Sequence, residues 1–221
     1  MTRPKQQELA FKAEWGGARK GAGRKKLPRE LRKGIRHERR KEFARNHPLH
    51  VTVRMAEGVT HLRTRKAFEA IGRALERAKA HGLRLTHYSV QGNHLHLIAE
   101  AEHRHMLSVA MRSFGAAVAR QLNGLMRRKG RVVGDRYHYE VLRTPTQVRR
   151  AIRYVLSNSR KHAERAGRPL PAVTRDDYAA GPADHVPPEM LLRPSALLSE
   201  PRTWLLRVGW SRGKVAATHA T

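Results

Sequence analysis

The chain contains no cysteine. That removes disulfides, thiolate metal sites and cysteine nucleophiles, and zinc-ribbon or zinc-finger readings with them. Any metal must be held by His, Asp, Glu, Asn or Gln, a donor set that suits octahedral Mg²⁺ or Mn²⁺ as well as zinc. Acidic residues are scarce: Asp plus Glu number 18 against 46 Lys plus Arg, a formal net charge of +28. That imbalance argues against an ordinary enzyme of small neutral substrates. It points to a polyanionic partner, most simply nucleic acid, because each neutralised phosphate releases counterions. Long apolar runs are missing too, none approaching the roughly 18 residues of a membrane span. The basic N-terminus lacks the apolar stretch of a signal peptide. No membrane partner and a cytoplasmic, nucleoid-associated location are therefore expected.

Three segments differ in composition. Residues 1–46 carry 16 Lys or Arg against 5 Asp or Glu. Their Gly-interrupted stretch, with Arg19, Lys20, Arg24, Lys25 and Lys26, cannot bury a core and reads as a flexible basic arm along a phosphate backbone. Residues 47–165 carry the periodic patterns of a folded domain. Residues 166–221 are a tail rich in Pro, Ala and Asp, closing on Trp204-Leu205-Leu206-Arg207-Val208-Gly209-Trp210. Its tryptophans could stack on bases or dock the segment back onto the domain.

Within the central segment, Leu49 to Arg54 alternates like a strand, with Leu49, Val51 and Val53 on one face; His50 could lie near the active site, but reads first as an exposed strand histidine. Residues 64–81 form an amphipathic helix that Gly82 stops. Residues 83–99 form a hairpin turning at Gln91-Gly92-Asn93. A helix over 103–129 ends at Gly130, a fourth strand lies within 131–142, and a helix over 145–164 is capped by Thr144 with Pro145 in its first turn. The order β-α-β-β-α-β-α predicts an α+β fold, the ferredoxin-like split βαβ sandwich, with an antiparallel sheet and helices on one face.

The chemistry centres on Asn93-His94-Leu95-His96-Leu97. In a strand, the two-residue spacing sends both imidazoles to one face and both leucines to the other. His103 and His105 repeat the spacing, but on a helix they would lie about 200° apart and could not share an ion. On the helix over 145–164, Tyr154 and Asn158 are four apart and share a face, while Val148, Ile152 and Val155 form the buried stripe. Two imidazoles and a carboxamide could hold a divalent ion that polarises a scissile phosphate, and the tyrosine could attack phosphorus. On spacing alone, Tyr154 reads equally as an amphipathic side chain at a helix edge.

Gln91-Gly92-Asn93-His94-Leu95-His96-Leu97-Ile98, then Gly134-Asp135-Arg136-Tyr137, then Arg153-Tyr154-Val155-Leu156-Ser157-Asn158, resembles the single-tyrosine HUH transposases, in particular their REP-associated branch. The resemblance covers about residues 48–165. It implies an HUH endonuclease fold and a transposase-like enzyme that cleaves and rejoins single-stranded DNA beside hairpins. Tyr154 would be the nucleophile, forming a 5′-phosphotyrosine link. His94, His96 and Asn158 would bind Mg²⁺ or Mn²⁺, and Arg136, Arg150 and Arg153, with the N-terminal cations, would contact DNA. Such proteins act as monomers or homodimers. The alternative is a non-catalytic regulator that binds hairpin DNA and descends from a transposase. After Asn158 this chain has Ser159-Arg160-Lys161-His162 where the family carries a proline, so the helix is expected to run on for another turn.

Overall fold

A computed structural model describes residues 42–213; the basic cluster Arg19 to Lys26 lies outside them. Seven strands and five helices follow in chain order: β1 (Leu49–Arg54), α1 (Arg65–Lys79), β2 (Arg84–Val90), β3 (His94–Glu100), α2 (Arg104–Leu125), β4 (His138–Val141), α3 (Pro145–Leu156), α4 (Asn158–Arg165), β5 (Thr174–Asp176), β6 (Ala179–Ala180), β7 (Met190–Leu192) and α5 (Trp204–Arg207). The main sheet has the order β4-β1-β3-β2-β6, and every pair in it is antiparallel. β5 and β7 form a separate parallel pair. The fold is α+β. No helix among the described residues is long and apolar enough to cross a membrane.

Alternation along β1 and β3 sorts side chains onto two faces. Leu49, Val51, Val53, Leu95, Leu97 and Ala99 turn towards the main core, where each is at most 1% exposed. The apolar stripes of α1 and α2 complete that core. Thr64 caps α1, its hydroxyl accepting from the Ala67 N–H, a device worth about 1 kcal/mol. On the opposite face, register sets Thr52 beside His96 and Arg54 beside His94. That face is not left bare. Val148, Ile152, Val155 and Leu156 of α3 pack with Ile98, Leu142, Leu205 and Leu206 into a second, smaller cluster.

Thr86 is an extra residue in β2, inserted between the pairs Leu85–Ala99 and His87–Ile98. An inserted residue reverses the alternation downstream, so Leu85 joins the main core while His87 turns to the opposite face. The Thr86 hydroxyl donates to the Ile98 carbonyl.

Two helix ends differ from the sequence expectation. α2 stops at Leu125, before Gly130. Arg127 takes φ +49°, its N–H reaching the Gly124 carbonyl and that of Arg128 the Asn123 carbonyl. These are the paired bonds of a Schellman closure, made here with an arginine in the position usually held by glycine. The expected helix over 145–164 is two helices, α3 and α4, separated at Ser157 with φ −100° and ψ 10°. The missing proline therefore does not let one helix run on, and Tyr154 and Asn158 belong to different helices. Residues after 165 add β6 to the main sheet through Tyr88 and Ser89. The buried Glu100 carboxylate accepts from the backbone N–H groups of Arg202 and Thr203, fastening that part of the chain to β3.

Candidate active site

The turn at Gln91-Gly92-Asn93 fixes where the paired histidines begin. Gln91 N–H reaches the His94 carbonyl at 2.8 Å, and Met55 N–H reaches the Asn93 carbonyl at 2.9 Å. His94, first residue of β3, is half-buried, and His96 is 5% exposed. Their rings stand edge to face, with centroids 4.8 Å apart at 85°.

Hydrogen bonds define which nitrogens are available. Asn93 Oδ1 lies 2.9 Å from His94 Nδ1; an amide oxygen only accepts, so Nδ1 carries the proton. His96 Nδ1 lies 3.2 Å from both Thr52 Oγ1 and His50 Nε2. His96 Nε2, by contrast, is buried without a partner. Nδ1 is thus engaged in both rings, which fixes their orientation; in His94 it leaves the lone pair on Nε2, the arrangement typical of metal-binding imidazoles.

Protonation is held off in the same way. Burial lowers the pKa of His96 to about 3, helped by the nearby His50, His94 and His162. Burial likewise lowers His94, with His162 and Arg54 adding to it. It also lowers His50, where Glu140 opposes the shift and His138 adds to it. At neutral pH the cluster is a set of uncharged imidazoles.

Tyr154 comes from α3 with 37% of its surface exposed. Its ring meets the His96 ring edge-on at 5.0 Å and the His50 ring at 5.8 Å. Lys161, from α4, places its ammonium 5.1 Å from the Tyr154 ring centroid. Asn158, the first residue of α4, is 4% exposed, and its Nδ2 is buried without a partner. His162, one helical turn on, brings its ring 6.1 Å from that of His94. Residues four apart share a helix face, so the Asn158 face of α4 is the one turned towards the paired histidines.

Three contributors were not singled out in the sequence: Thr52, Lys161 and His162. A fourth, His50, is corrected: it is a half-buried partner of His96 and Tyr154 rather than an exposed strand residue. The alternation of Leu49, Val51 and Val53 carried the signal for His50 and Thr52, because it puts both on the other face; only the β1–β3 pairing was lacking. His103 and His105 lie apart from this site, for a reason other than helical spacing. His103 precedes α2 and caps it, its Nδ1 accepting from the Met106 N–H at 3.1 Å.

Of the predicted DNA contacts, Arg150 is exposed on α3. Arg153, also exposed, pairs with Glu189 at 3.0 Å. Arg136 is exposed in the segment before β4, where its N–H donates to Asp135.

The donor set fits a divalent ion at the level of chemistry: two neutral imidazoles and the carboxamide oxygen of Asn158, with the Nε2 of His96 buried and unpartnered. No group of three or more His, Cys, Asp or Glu among the described residues is arranged to hold a metal.

No family model matches the chain, and no curated protein matches it. Among solved structures, it is similar to a REP-associated tyrosine transposase bound to a REP hairpin, at 18% identity over 58% of this chain and 74% of that one, with a TM-score of 0.48. It is similar to a putative transposase from Deinococcus radiodurans at 14% identity, over 61% of this chain and 97% of that one, TM-score 0.38. It is also similar to a bacterial tRNA(His) guanylyltransferase (Thg1)-like protein in complex with GTP, at 14% identity over 59% and 73%, TM-score 0.42. Similarity at this level assigns no function, and the side chains carry the reading below.

Proposed function

We propose that this protein cleaves and rejoins single-stranded DNA beside hairpins, with Tyr154 as the nucleophile and an HUH-type split βαβ fold as its scaffold. The observation that carries the reading is the exposed Tyr154 ring held edge-on at 5.0 Å against His96, whose Nε2 is buried and unpartnered. The charge of +28 supplies the reason for a polyanionic substrate.

In the proposed step the Tyr154 hydroxyl oxygen bonds to phosphorus and the bond from phosphorus to the 3′-oxygen breaks. The products are a 5′-phosphotyrosine and a free 3′-hydroxyl, with the phenol proton ending on the departing oxygen. Rejoining reverses these changes, so one phosphodiester is exchanged for another at little net cost. His94, His96 and Asn158 would hold Mg²⁺ or Mn²⁺, which when bound supplies electrophilic stabilisation of the phosphate charge. Asn93 leaves the lone pair of His94 on Nε2 and Thr52 holds the His96 ring through its Nδ1, while Lys161 adds a positive charge beside the reacting phenol.

A nicking assay on single-stranded hairpins, with and without chelator, tests the reading. Cleavage should need the ion and should vanish in Tyr154→Phe, with hairpin affinity unchanged; an active phenylalanine variant would contradict it. The second reading, a hairpin-binding regulator without cleavage, draws on the lack of a three-member His, Asp and Glu cluster among the described residues. Binding without nicking by the wild type would select it.

A further inference from the structure

Glu100 closes the end of β3 opposite His94, about 20 Å away at ~3.3 Å per residue. There a cavity of about 590 Å³ opens, with Arg45, Lys79, Arg84, Arg202, Thr203 and Trp204 in its wall. Its size falls within the range of small-molecule pockets, about 300–1,000 Å³. The cavity belongs to neither the Tyr154 cluster nor the α3 packing.

Three features of this wall call for a ligand. Trp204 is 52% exposed, yet its ring is held in place: a Cβ on Gly209 would come within 2.7 Å of it, and the Arg212 guanidinium lies over the ring at 5.8 Å from its centroid. Thr203 is 6% exposed and its Oγ1 is buried without a partner. The guanidinium groups of Arg45 and Arg202, both exposed, have no partner among the described residues. Of the two acids present, the buried Glu100 is already engaged by the Arg202 and Thr203 N–H groups and, at 3.4 Å, by Arg84. Glu102 is exposed at the rim. A flat fixed aromatic beside free guanidinium groups suits a base and its phosphates, since any base offers a π-face and any nucleotide a negative charge.

We infer that this cavity binds a nucleobase of single-stranded DNA stacked on Trp204, with Arg45 and Arg202 on the neighbouring phosphates and Thr203 Oγ1 on the base edge. The inference rests on the nucleic-acid reading above and adds a second anchoring point. At the ~3.4 Å per nucleotide of a fully stacked strand, the most compact case, 20 Å takes at most about six nucleotides. Stacking on Trp204 needs an unpaired base, so the cavity takes part of a single-stranded flank rather than the paired stem.

The test compares the full-length protein on two labelled DNA hairpins, one blunt and one with a single-stranded flank of about ten nucleotides, by fluorescence anisotropy at fixed salt. Trp204→Ala should weaken the flanked hairpin by about tenfold or more and leave the blunt hairpin unchanged. Arg202→Ala, an exposed change that cannot threaten folding, should act in the same direction, and Trp204→Phe should restore part of the affinity. Equal affinity of all variants for the flanked hairpin, or equal weakening on both DNAs, would overturn the inference while leaving the Tyr154 reading intact. Failure of the wild type to bind either DNA would overturn both. Displacement of a short oligonucleotide by polyglutamate without competition from other DNA would assign the cavity to acidic peptides and overturn it as well.

Discussion

His87 and His185 stack with centroids 5.0 Å apart and Nε2 2.8 Å from Nδ1. His94 and His96 stand edge to face, with each Nδ1 engaged by a residue outside the pair. Both arrangements use the same side of the same sheet, and the contrast lies in what each leaves over. The Thr86 hydroxyl donates to Ile98 and must therefore accept from His87 Nδ1–H. His87 Nε2 is then an acceptor and takes the proton of His185 Nδ1. His87 is wholly buried, with Gly181 pressed so close that a Cβ there would lie 2.6 Å from its ring, and Trp210 packs on His185 at 4.3 Å. That pair is closed and serves the fold. The other keeps an unpartnered nitrogen beside an exposed tyrosine, and is the pair to which we assign the chemistry. Histidine content alone would not separate them; directed hydrogen bonds do.

Substitutions should separate the pairs most sharply. His96→Ala should abolish DNA cleavage while lowering stability to urea by less than ~1 kcal/mol, because it removes a side chain with one unmet nitrogen. His87→Ala should do the reverse, costing about 2–5 kcal/mol in the same titration through the cavity and the stranded His185, with cleavage retained wherever the variant is folded. Similar losses of stability in both variants would erase the distinction.

A smaller effect is expected at Thr52. Thr52→Val keeps the shape and removes one acceptor from His96 Nδ1, so Mn²⁺ affinity, followed by electron paramagnetic resonance, should fall about tenfold. An unchanged affinity would mean that His50 alone orients the ring.

The pH dependence is the mildest discriminator. His50, His87, His94 and His96 all have pKa values below the ordinary 6.5, chiefly through burial, with His96 at about 3. Between about 6.5 and 3 the unfolded chain binds more protons than the native one, so stability is complete above 6.5 and declines as pH falls through that window. Thermal midpoints recorded from pH 8 to 4 should show this decline, and His96→Ala should make it shallower.

Much of the frame could be read from local pattern. Alternation in Leu49 to Arg54 and in His94 to Glu100, and helical spacing in α1 and α3, fixed which residues face the core. What escaped depends on contacts distant in sequence. His50 stayed open between the site and an exposed strand face, with the exposed reading favoured, because nothing local reveals that β1 pairs with β3. The break at Ser157 does carry a local signal, because Ser157, Asn158 and Ser159 favour caps and turns over helix interiors; His162 and Lys161 reach the site only once α4 starts afresh. Residues after 165 look like a tail by composition, yet His185 and Trp210 complete the closed pair, and Ala179 and Ala180 lengthen the sheet. Trp204 and Trp210, six residues apart in one apolar cluster, part company: one is exposed and the other is packed on His185.

The most direct test of the central claim is covalent capture. Wild-type protein incubated with a single-stranded hairpin and Mg²⁺, denatured in SDS and digested, should yield one DNA-linked peptide, and mass spectrometry should place the link on Tyr154. No adduct, or an adduct on any other residue, would contradict the account.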